Sequence, residues 1–216
     1  MPFAIFSKSG GKELIGGILF DIIQQVATNA GAEAQIVVLP PKRSEAALAA
    51  NAVDLQCLVS PSWMVDSYPA QFWTVALFRM EDVWVAPANY AGGQIRPNQA
   101  AGASVGLVIS YAYPDLEPAL RSGQLRREDA LSQELVLEKL LRGRSDYAVV
   151  NSLIALWFNK GLPASSAKLQ LQQTLSSTQT HCLLSKQPGL APERIKAAVQ
   201  HLVVSGQLQA ILGRYR

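Results

Sequence analysis

The sequence predicts an α/β protein whose sheets are mainly parallel. Short apolar segments of strand length alternate along the chain with longer segments whose apolar residues recur at helical spacing. Of the 216 residues, 49% are hydrophobic and 16% are charged, which is the composition of a globular protein rather than a disordered one. This length allows either one large domain or two small lobes, each with its own core.

The first part of the chain is predicted to alternate helix and strand. Apolar residues from Ile18 onward recur at helical spacing, and Gly31 supplies a stop. The β-branched segment 35–39 runs into Pro40-Pro41 and predicts a strand followed by a turn. Ser44 is suited to cap a short helix, and 53–59 has the pattern of the next strand.

The pattern changes past residue 72. Extended apolar segments at 75–78 and 83–86 precede a stretch at 88–102, rich in Gly, Pro and Asn, that predicts a loop. A second α/β series follows, in which Ser132 caps one helix and Gly143 ends it. The further predicted elements are strands at 104–109, 146–150, 169–171 and 181–184 and helices at 114–123, 152–160, 192–205 and 208–212.

Charge and cysteine content exclude several classes of protein. Nineteen basic and sixteen acidic residues leave a net charge of +3, and no basic run is dense enough to follow a phosphate backbone, so we expect no nucleic-acid partner. No apolar run approaches the roughly 18–20 residues of a membrane-spanning helix. The two cysteines, Cys57 and Cys182, lie in apolar stretches; buried thiols are the default interpretation, and a single disulfide between them stays open.

The sequence gives little support for catalysis. Only two histidines are present; His201 lies beside an apolar helical stripe, and His181 begins a predicted strand, where we expect a structural role. The G-x-S-x-G, H-E-x-x-H and Walker patterns do not occur. We therefore predict no catalytic residue, no metal site and no cofactor.

Three segments and the C-terminal stretch of the sequence, in order along the chain, resemble one family. Gly16-Gly17-Ile18-Leu19-Phe20-Asp21-Ile22-Ile23 is similar to a G-[FY]-x-x-D-[LI] pattern that opens a first helix. Arg43 to Val53-Asp54 is similar to R-x-x-x-x-L-x-x-G-x-[VI]-D, with Asn51 in place of the usual Gly. Ser132 and then 140–147 are similar to L-L-x-G-[RK]-x-D-[AY], and 205–215 is similar to the last helix. The chain thus resembles the bacterial extracellular solute-binding proteins, family 3, which serve ABC importers of polar amino acids and similar solutes.

This resemblance implies a two-lobed periplasmic-binding-protein-like fold, in which each lobe is a mainly parallel sheet flanked by helices and two hinge strands join the lobes. Residues 1–86 plus 184–216 would form lobe 1, and 87–183 lobe 2. Pro2-Phe3 resembles the turn after the family's first strand, so that strand and a secretion signal would lie upstream of Met1. The expected protein is a periplasmic monomer whose partners are a small solute and an ABC permease in the membrane.

The resemblance also implies ligand-binding residues. Ser60, Ser110 and Tyr111 follow predicted strands and would face the solute, although ordinary turn and cap residues have the same pattern. Trp63 stands where amino-acid binders of the family carry an Arg for the α-carboxylate, and Asn151 stands where an Asp holds the α-ammonium. Both departures argue against an ordinary zwitterionic amino acid. They favour a less charged solute, or one whose anionic group is met elsewhere.

Arg43 is the best replacement cation in the sequence, with a surface Arg lying over its helix as the alternative. The aromatic residues Phe3, Trp63, Tyr111 and Tyr113 are suited either to stacking on a solute or to core packing. For Phe3 and Tyr113 the core is favoured, whereas Trp63 follows a Pro-Ser turn and fits both interpretations.

Two other functions remain open on the same fold. One is a lyase or dehydratase that uses a cleft carboxylate such as Glu117. The other is the ligand-sensing domain of a receptor or transcription regulator. Turnover of cyclic acids would identify the lyase, because a carrier returns its ligand unchanged.

Overall fold

The computed structural model describes residues 1–7, 13–96, 101–109 and 111–216. Ser110 and residues 97–100 of the predicted loop lie outside the described residues. In the described part of the chain the helices and strands are, in order, β1 (Ile5–Phe6), β2 (Leu14–Gly16), α1 (Ile18–Asn29), α2 (Pro41–Ala49), β3 (Leu55–Val59), β4 (Arg79–Ala86), β5 (Ala103–Val108), α3 (Glu117–Arg121), β6 (Leu125–Ala130), α4 (Gln133–Leu141), β7 (Tyr147–Asn151), α5 (Ser152–Gly161), β8 (Gln170–Gln179), β9 (His181–Leu184), α6 (Pro192–Val204) and α7 (Gln207–Arg214).

The chain packs into two compact units. Unit A consists of Pro2–Arg79 and Thr178–Tyr215, and unit B consists of Met80–Ser177 with the terminal residues Met1 and Arg216. Apart from these two terminal residues, the chain leaves unit A once, after Arg79, and returns to it once, at Thr178. The predicted lobe boundaries at 86 and 184 stay a prediction. Among the helices described, none has both the length and the apolar composition that crossing a bilayer requires.

Unit B contains a five-stranded sheet in the order β6-β5-β7-β4-β8. Strand β5 is parallel to both β6 and β7, as the sequence pattern predicted, and β4 is antiparallel to β7. Because β4 runs in the opposite direction, its first residues lie at the same edge as the carboxyl ends of β5, β6 and β7. One edge of the sheet thus collects four strand ends.

The two faces of this sheet are covered differently. Side chains on alternate positions of three strands, among them Trp84, Leu107 and Val149, form a buried cluster with Leu116 beside α3. The other face packs on α4, so closely that a Cβ on Gly106 would lie 3.0 Å from Val136 Cγ1. Helix α4 begins as predicted, with Ser132 Oγ accepting a hydrogen bond from the Leu135 N–H at 3.3 Å.

Unit A differs from the sequence prediction in its strand pairing. The predicted mainly parallel sheet does not appear among its described strands; β1 pairs with β2, and β3 with β9, both antiparallel. The segment 35–39 is not a strand, because β propensity makes a strand only where a neighbour completes the hydrogen-bond ladder. Helix α2 begins at Pro41 rather than at Ser44, whose Oγ instead accepts from Gln56 Nε2 at 3.1 Å.

Strands β3 and β9 are joined by a disulfide between Cys57 and Cys182. The default interpretation of these cysteines as free thiols is therefore wrong. The two residues are directly opposite in the ladder, and the N–H and C=O of Cys182 bond to Thr74 rather than to β3. Opposed residues that share no backbone hydrogen bond lie closest together, which brings these Cα atoms to 3.9 Å.

A β-bulge follows this disulfide. The register passes from Cys57 opposite Cys182 to Val59 opposite His181, so Leu58 is the inserted residue. Leu58 has a φ of 60°, in the left-handed region that a leucine rarely adopts. The bulge ends the regular pairing of β3 one residue before Ser60.

The start of α1 is held by backbone carbonyls and by the end of the chain. The N–H groups of Ile18 and Leu19 donate to the carbonyls of Pro2 and Phe3 at 2.8 and 3.1 Å. Tyr215 Oη accepts from the Gly17 N–H at 3.0 Å and donates to Asp21 Oδ2 at 2.7 Å. The bonds from Gly17, Ile18 and Leu19 satisfy backbone N–H groups that have no partner within a helix start. Asp21 of the first motif is engaged by the Tyr215 hydroxyl and therefore has a structural role.

Gly17→Ala is expected to lower the free energy of unfolding by about 3 kcal/mol. Gly17 has φ 116° and ψ 163°, which only glycine adopts readily, and a Cβ there would lie 2.6 Å from the Phe3 carbonyl oxygen. Urea unfolding measures the effect. The control is Gly16→Ala, where no atom lies within 4 Å of an added Cβ; equal losses in the two variants would contradict the assignment.

Reducing the Cys57–Cys182 disulfide is expected to lower the free energy of unfolding by about 2–5 kcal/mol. The bond links two residues that are 125 positions apart in the sequence. Its loss increases the conformational entropy of the unfolded chain, which favours unfolding. Urea titrations with and without a reductant give the difference, and a Cys57→Ser/Cys182→Ser variant should ignore the reductant. Two reactive thiols in the unreduced, denatured protein would show that the bond does not form.

Candidate functional site

Ser60 and Trp63 lie immediately after β3 in unit A. Ser60 is 5% exposed, and its Oγ lies 3.1 Å from Ser62 Oγ. Residues Pro61–Trp63 form a 3-10 turn in which the Trp63 N–H donates to the Ser60 carbonyl at 3.0 Å. The Trp63 side chain is 48% exposed, so it does not belong to the core. A polar side chain and an accessible indole therefore follow this strand within one turn.

Arg43 and Phe3 have different surroundings within unit A. Arg43 is exposed in the first turn of α2, where its N–H donates to the Pro40 carbonyl at 2.9 Å. Phe3 is half-buried, and its carbonyl supports the start of α1. The role of either side chain in ligand binding stays a prediction.

Asn151 lies at the carboxyl end of β7 in unit B. It is 3% exposed, and its Oδ1 accepts from the Leu153 N–H at 3.1 Å, which caps α5. Its own N–H donates to Gln133 Oε1 at 2.6 Å. The amide oxygen of Asn151 is thus committed to a helix start.

Tyr111 and Tyr113 follow β5 near the same edge of the sheet; Ser110, between them and the strand, lies outside the described residues. Tyr111 is half-exposed, and its ring centroid lies 6.5 Å from that of Tyr113. Tyr113 belongs to the buried cluster, the role that the sequence favoured for it, and its Oη accepts from the Val108 N–H at 3.1 Å. Burial raises the pKa of Tyr113 to about 12, which keeps the phenol neutral at physiological pH.

Arg127 brings a cation to this cluster. Its guanidinium carbon lies 5.7 Å from the Tyr113 ring centroid, and its Nη2 donates to the Val108 carbonyl at 2.8 Å. Its Nε donates to Asp129, which balances the charge. The guanidinium thus has three partners, which are the Tyr113 ring, the Val108 carbonyl and the Asp129 carboxylate.

Asp82 is a polar residue of this edge that the sequence analysis missed. It lies directly opposite Asn151 in the antiparallel β4–β7 ladder and is half-buried. Ser176 Oγ donates to Asp82 Oδ2 at 3.3 Å. Burial raises the pKa of the Asp82 carboxyl above its ordinary value, and the Ser176 hydrogen bond opposes this shift. The sequence did contain a pattern that could have identified it. Asp82, Trp84 and Ala86 are alternate residues of one strand, so the carboxylate is predicted to lie on the same face as these two apolar side chains.

The residues considered for catalysis are in structural or surface positions. Glu117 begins α3 and forms an exposed ion pair with Arg121 at 3.8 Å. His181 Nδ1 lies 3.0 Å from the Thr74 carbonyl, and its ring meets Trp73 edge-on at 5.9 Å between centroids. These contacts give His181 the structural role expected of it. The strand-end groups of unit B, by contrast, can accept or donate hydrogen bonds, and they include the half-buried carboxylate of Asp82.

Comparison with known proteins identifies the fold. No protein-family model matches the chain, and a search of curated proteins gives no match. Among solved structures, the chain is similar to an ancestral arginine-binding protein bound to arginine (TM-score 0.71, 16% identity), with 99% of this chain and 92% of that chain covered. It is also similar to the GluR0 ligand binding core in complex with L-glutamate (TM-score 0.74, 14% identity), with 99% of this chain and 93% of that chain covered.

A third similar structure is the arginine-, lysine-, histidine-binding protein ArtJ from the thermophilic bacterium Geobacillus stearothermophilus (TM-score 0.68, 17% identity), with 99% and 90% of the two chains covered. These neighbours are named as binding proteins rather than enzymes. At these identities the likeness establishes the fold, and it agrees with the motif resemblance. The chain has the two-lobed α/β fold of periplasmic binding proteins, as the sequence predicted.

Proposed function

We propose that this chain is the solute-binding protein of an ABC-type importer, which captures a small polar solute and delivers it unchanged to a permease. The observation that supports this proposal most strongly is the likeness over 99% of the chain to amino-acid-binding proteins. A fold alone does not fix a function, so the proposal also needs a site.

The residues at the strand ends support such a site. Ligand pockets combine apolar and aromatic surface with a few well-placed polar groups, and they occur at the carboxyl ends of strands in open α/β sheets. Unit A offers Ser60 and the half-exposed Trp63, and unit B offers Tyr111 with Asn151 and Asp82. To these residues we add Phe3, Arg43 and Ser110 from the sequence analysis.

The disulfide supports a periplasmic location. Cysteines that pair stably are typical of oxidising compartments such as the periplasm, and Cys57–Cys182 is a bond within the folded unit A. We propose that the permease recognises the closed form, which the solute favours by binding it more tightly than the open form. The protein acts in this scheme as a monomer without cofactor or catalytic step.

Trp63→Ala and Arg43→Ala are each expected to weaken solute binding roughly tenfold or more, because an indole stack or a charge-assisted hydrogen bond contributes about 1–3 kcal/mol. A thermal-shift screen of amino acids, oligopeptides, organic acids and polyamines first identifies ligands, since a bound ligand stabilises the folded state. Calorimetry then compares the variants. Both side chains are exposed, so the free energy of unfolding of each variant, measured without ligand, should differ little from that of the wild type.

Val65→Ala is the matched control, because Val65 is 90% exposed two residues beyond Trp63. Unchanged affinity in both test variants would remove Trp63 and Arg43 from the site. A purified protein that turns over a ligand of the screen would contradict the carrier function itself.

A further inference from the structure

We propose that Asp82 is the anionic group of the binding site and pairs with a protonated amine of the solute. This inference rests on the proposed function and specifies the chemistry of the solute. It goes beyond the sequence analysis, in which Asn151 in place of an Asp argued against an ordinary zwitterionic amino acid.

The register of the sheet brings Asp82 to the edge where open α/β sheets bind ligands. Asn151 is the last residue of β7, and β7 is parallel to β5, so Asn151 marks the carboxyl edge. Asp82 is its direct partner across the antiparallel ladder. Opposed residues of such a pair have Cβ atoms roughly 5 Å apart on the same face of the sheet. The negative charge is therefore displaced by one strand from the position at which the family carries it.

Asn151 is not suited to receive an amine. Its side chain is neutral, and its Oδ1 is engaged by the Leu153 N–H at the start of α5. Asp82 has the charge that Asn151 lacks, and its hydrogen bond to Ser176 Oγ, at 3.3 Å, engages only Oδ2. A carboxylate has room for about four hydrogen bonds, so Asp82 retains capacity for a donor.

The position of Asp82 is costly without a ligand. It shares a sheet face with Trp84 of the buried cluster, and none of the salt bridges between described residues includes it. Burial of a carboxylate without a cation disfavours its charged form, which is the direction of its pKa shift. Groups whose surroundings disfavour their own charge occur preferentially at functional sites, and a bound ammonium would compensate this one.

The other polar groups of the edge are compatible with a cationic ligand. The phenol of Tyr113 and the amide of Asn151 are neutral, and the guanidinium of Arg127 is balanced by Asp129. Tyr111, half-exposed beside Tyr113, adds an aromatic face of the kind that attracts ammonium groups.

Calorimetric titration of the full chain and of Asp82→Asn provides the test. The amine probes are L-arginine, L-glutamine, putrescine and spermidine; the amine-free probes are glutarate, succinate and 1,4-butanediol. Glu81→Gln is the matched control, because Glu81 is the preceding half-buried acidic residue of β4 and points to the opposite face. We expect an amine probe to bind, Asp82→Asn to weaken it roughly tenfold or more, and Glu81→Gln to leave its affinity unchanged.

The thermal midpoint without ligand separates this role from a structural one. A raised carboxyl pKa contributes stability below about pH 4 and loses it as the pH rises through the folded-state pKa. Asp82→Asn should therefore unfold at the same or a higher temperature at pH 7. A lower midpoint accompanied by unchanged amine affinity would mean that Asp82 only supports the fold and would overturn the inference.

The remaining outcomes distinguish the two proposals. If only amine-free probes bind, the carrier function stands and the Asp82 inference is overturned. If Asp82→Asn and wild type bind the amine probe equally, the inference is likewise overturned. If no probe of either kind binds, the proposed function fails and the inference fails with it.

Discussion

The antiparallel pairing of β3 with β9 is the constraint on which unit A depends. It joins segments from both ends of the sequence, which the whole of Met80–Ser177 separates along the chain. The Cys57–Cys182 bond adds a covalent link at the point where the opposed backbones lie closest. The chain following β3, with Ser60 and Trp63, starts from this fixed strand. A second tie at the start of α1, through Gly17, Asp21 and Tyr215, holds the terminal helix to the first one.

Unit B depends on an analogous constraint, the register of β4 against β7. The two strands come from distant parts of the sequence and run in opposite directions, and this arrangement brings the first residues of one beside the last of the other. A one-residue slip of β4 would turn Asp82 to the opposite face of the sheet and put Glu81 or Val83 in its place. The chemistry of this edge is therefore decided by pairing as much as by composition.

Local signals in the sequence were sufficient for much of the fold. The strand at 181–184 and the helix capped by Ser132 form where the patterns indicated, because apolar periodicity and capping residues act over a few neighbours. Strand β6 was missed because Leu125–Ala130 is largely charged and lacks an apolar alternation; it is held by its pairing with β5 at the sheet edge. The prediction for the segment 35–39 was wrong for the opposite reason: its residues have a high β propensity, but none of the described strands pairs with them.

The same distinction applies to the candidate site. Ser60, Trp63 and Asn151 were proposed from motif positions after strands, and the structure gives each a defined local setting, while their role in binding stays a prediction. The Cys57–Cys182 bond and the pairing of Asp82 with Asn151 were not predictable, because both are contacts between residues far apart in sequence. A single sequence does not indicate which strands, far apart along the chain, will pair in the folded protein.

The inserted residue Leu58 has a wider consequence for the segment that follows it. Directly opposed residues share a face of the sheet, so the bulge absorbs the extra residue and leaves Val59 on the same face as His181. A relative shortened by a single codon at this point would therefore keep Val59 opposite His181, but it would lose the local bend that the extra residue makes. The direction in which the serine and the tryptophan leave the sheet would then change through spacing alone, without any exchange of amino acid.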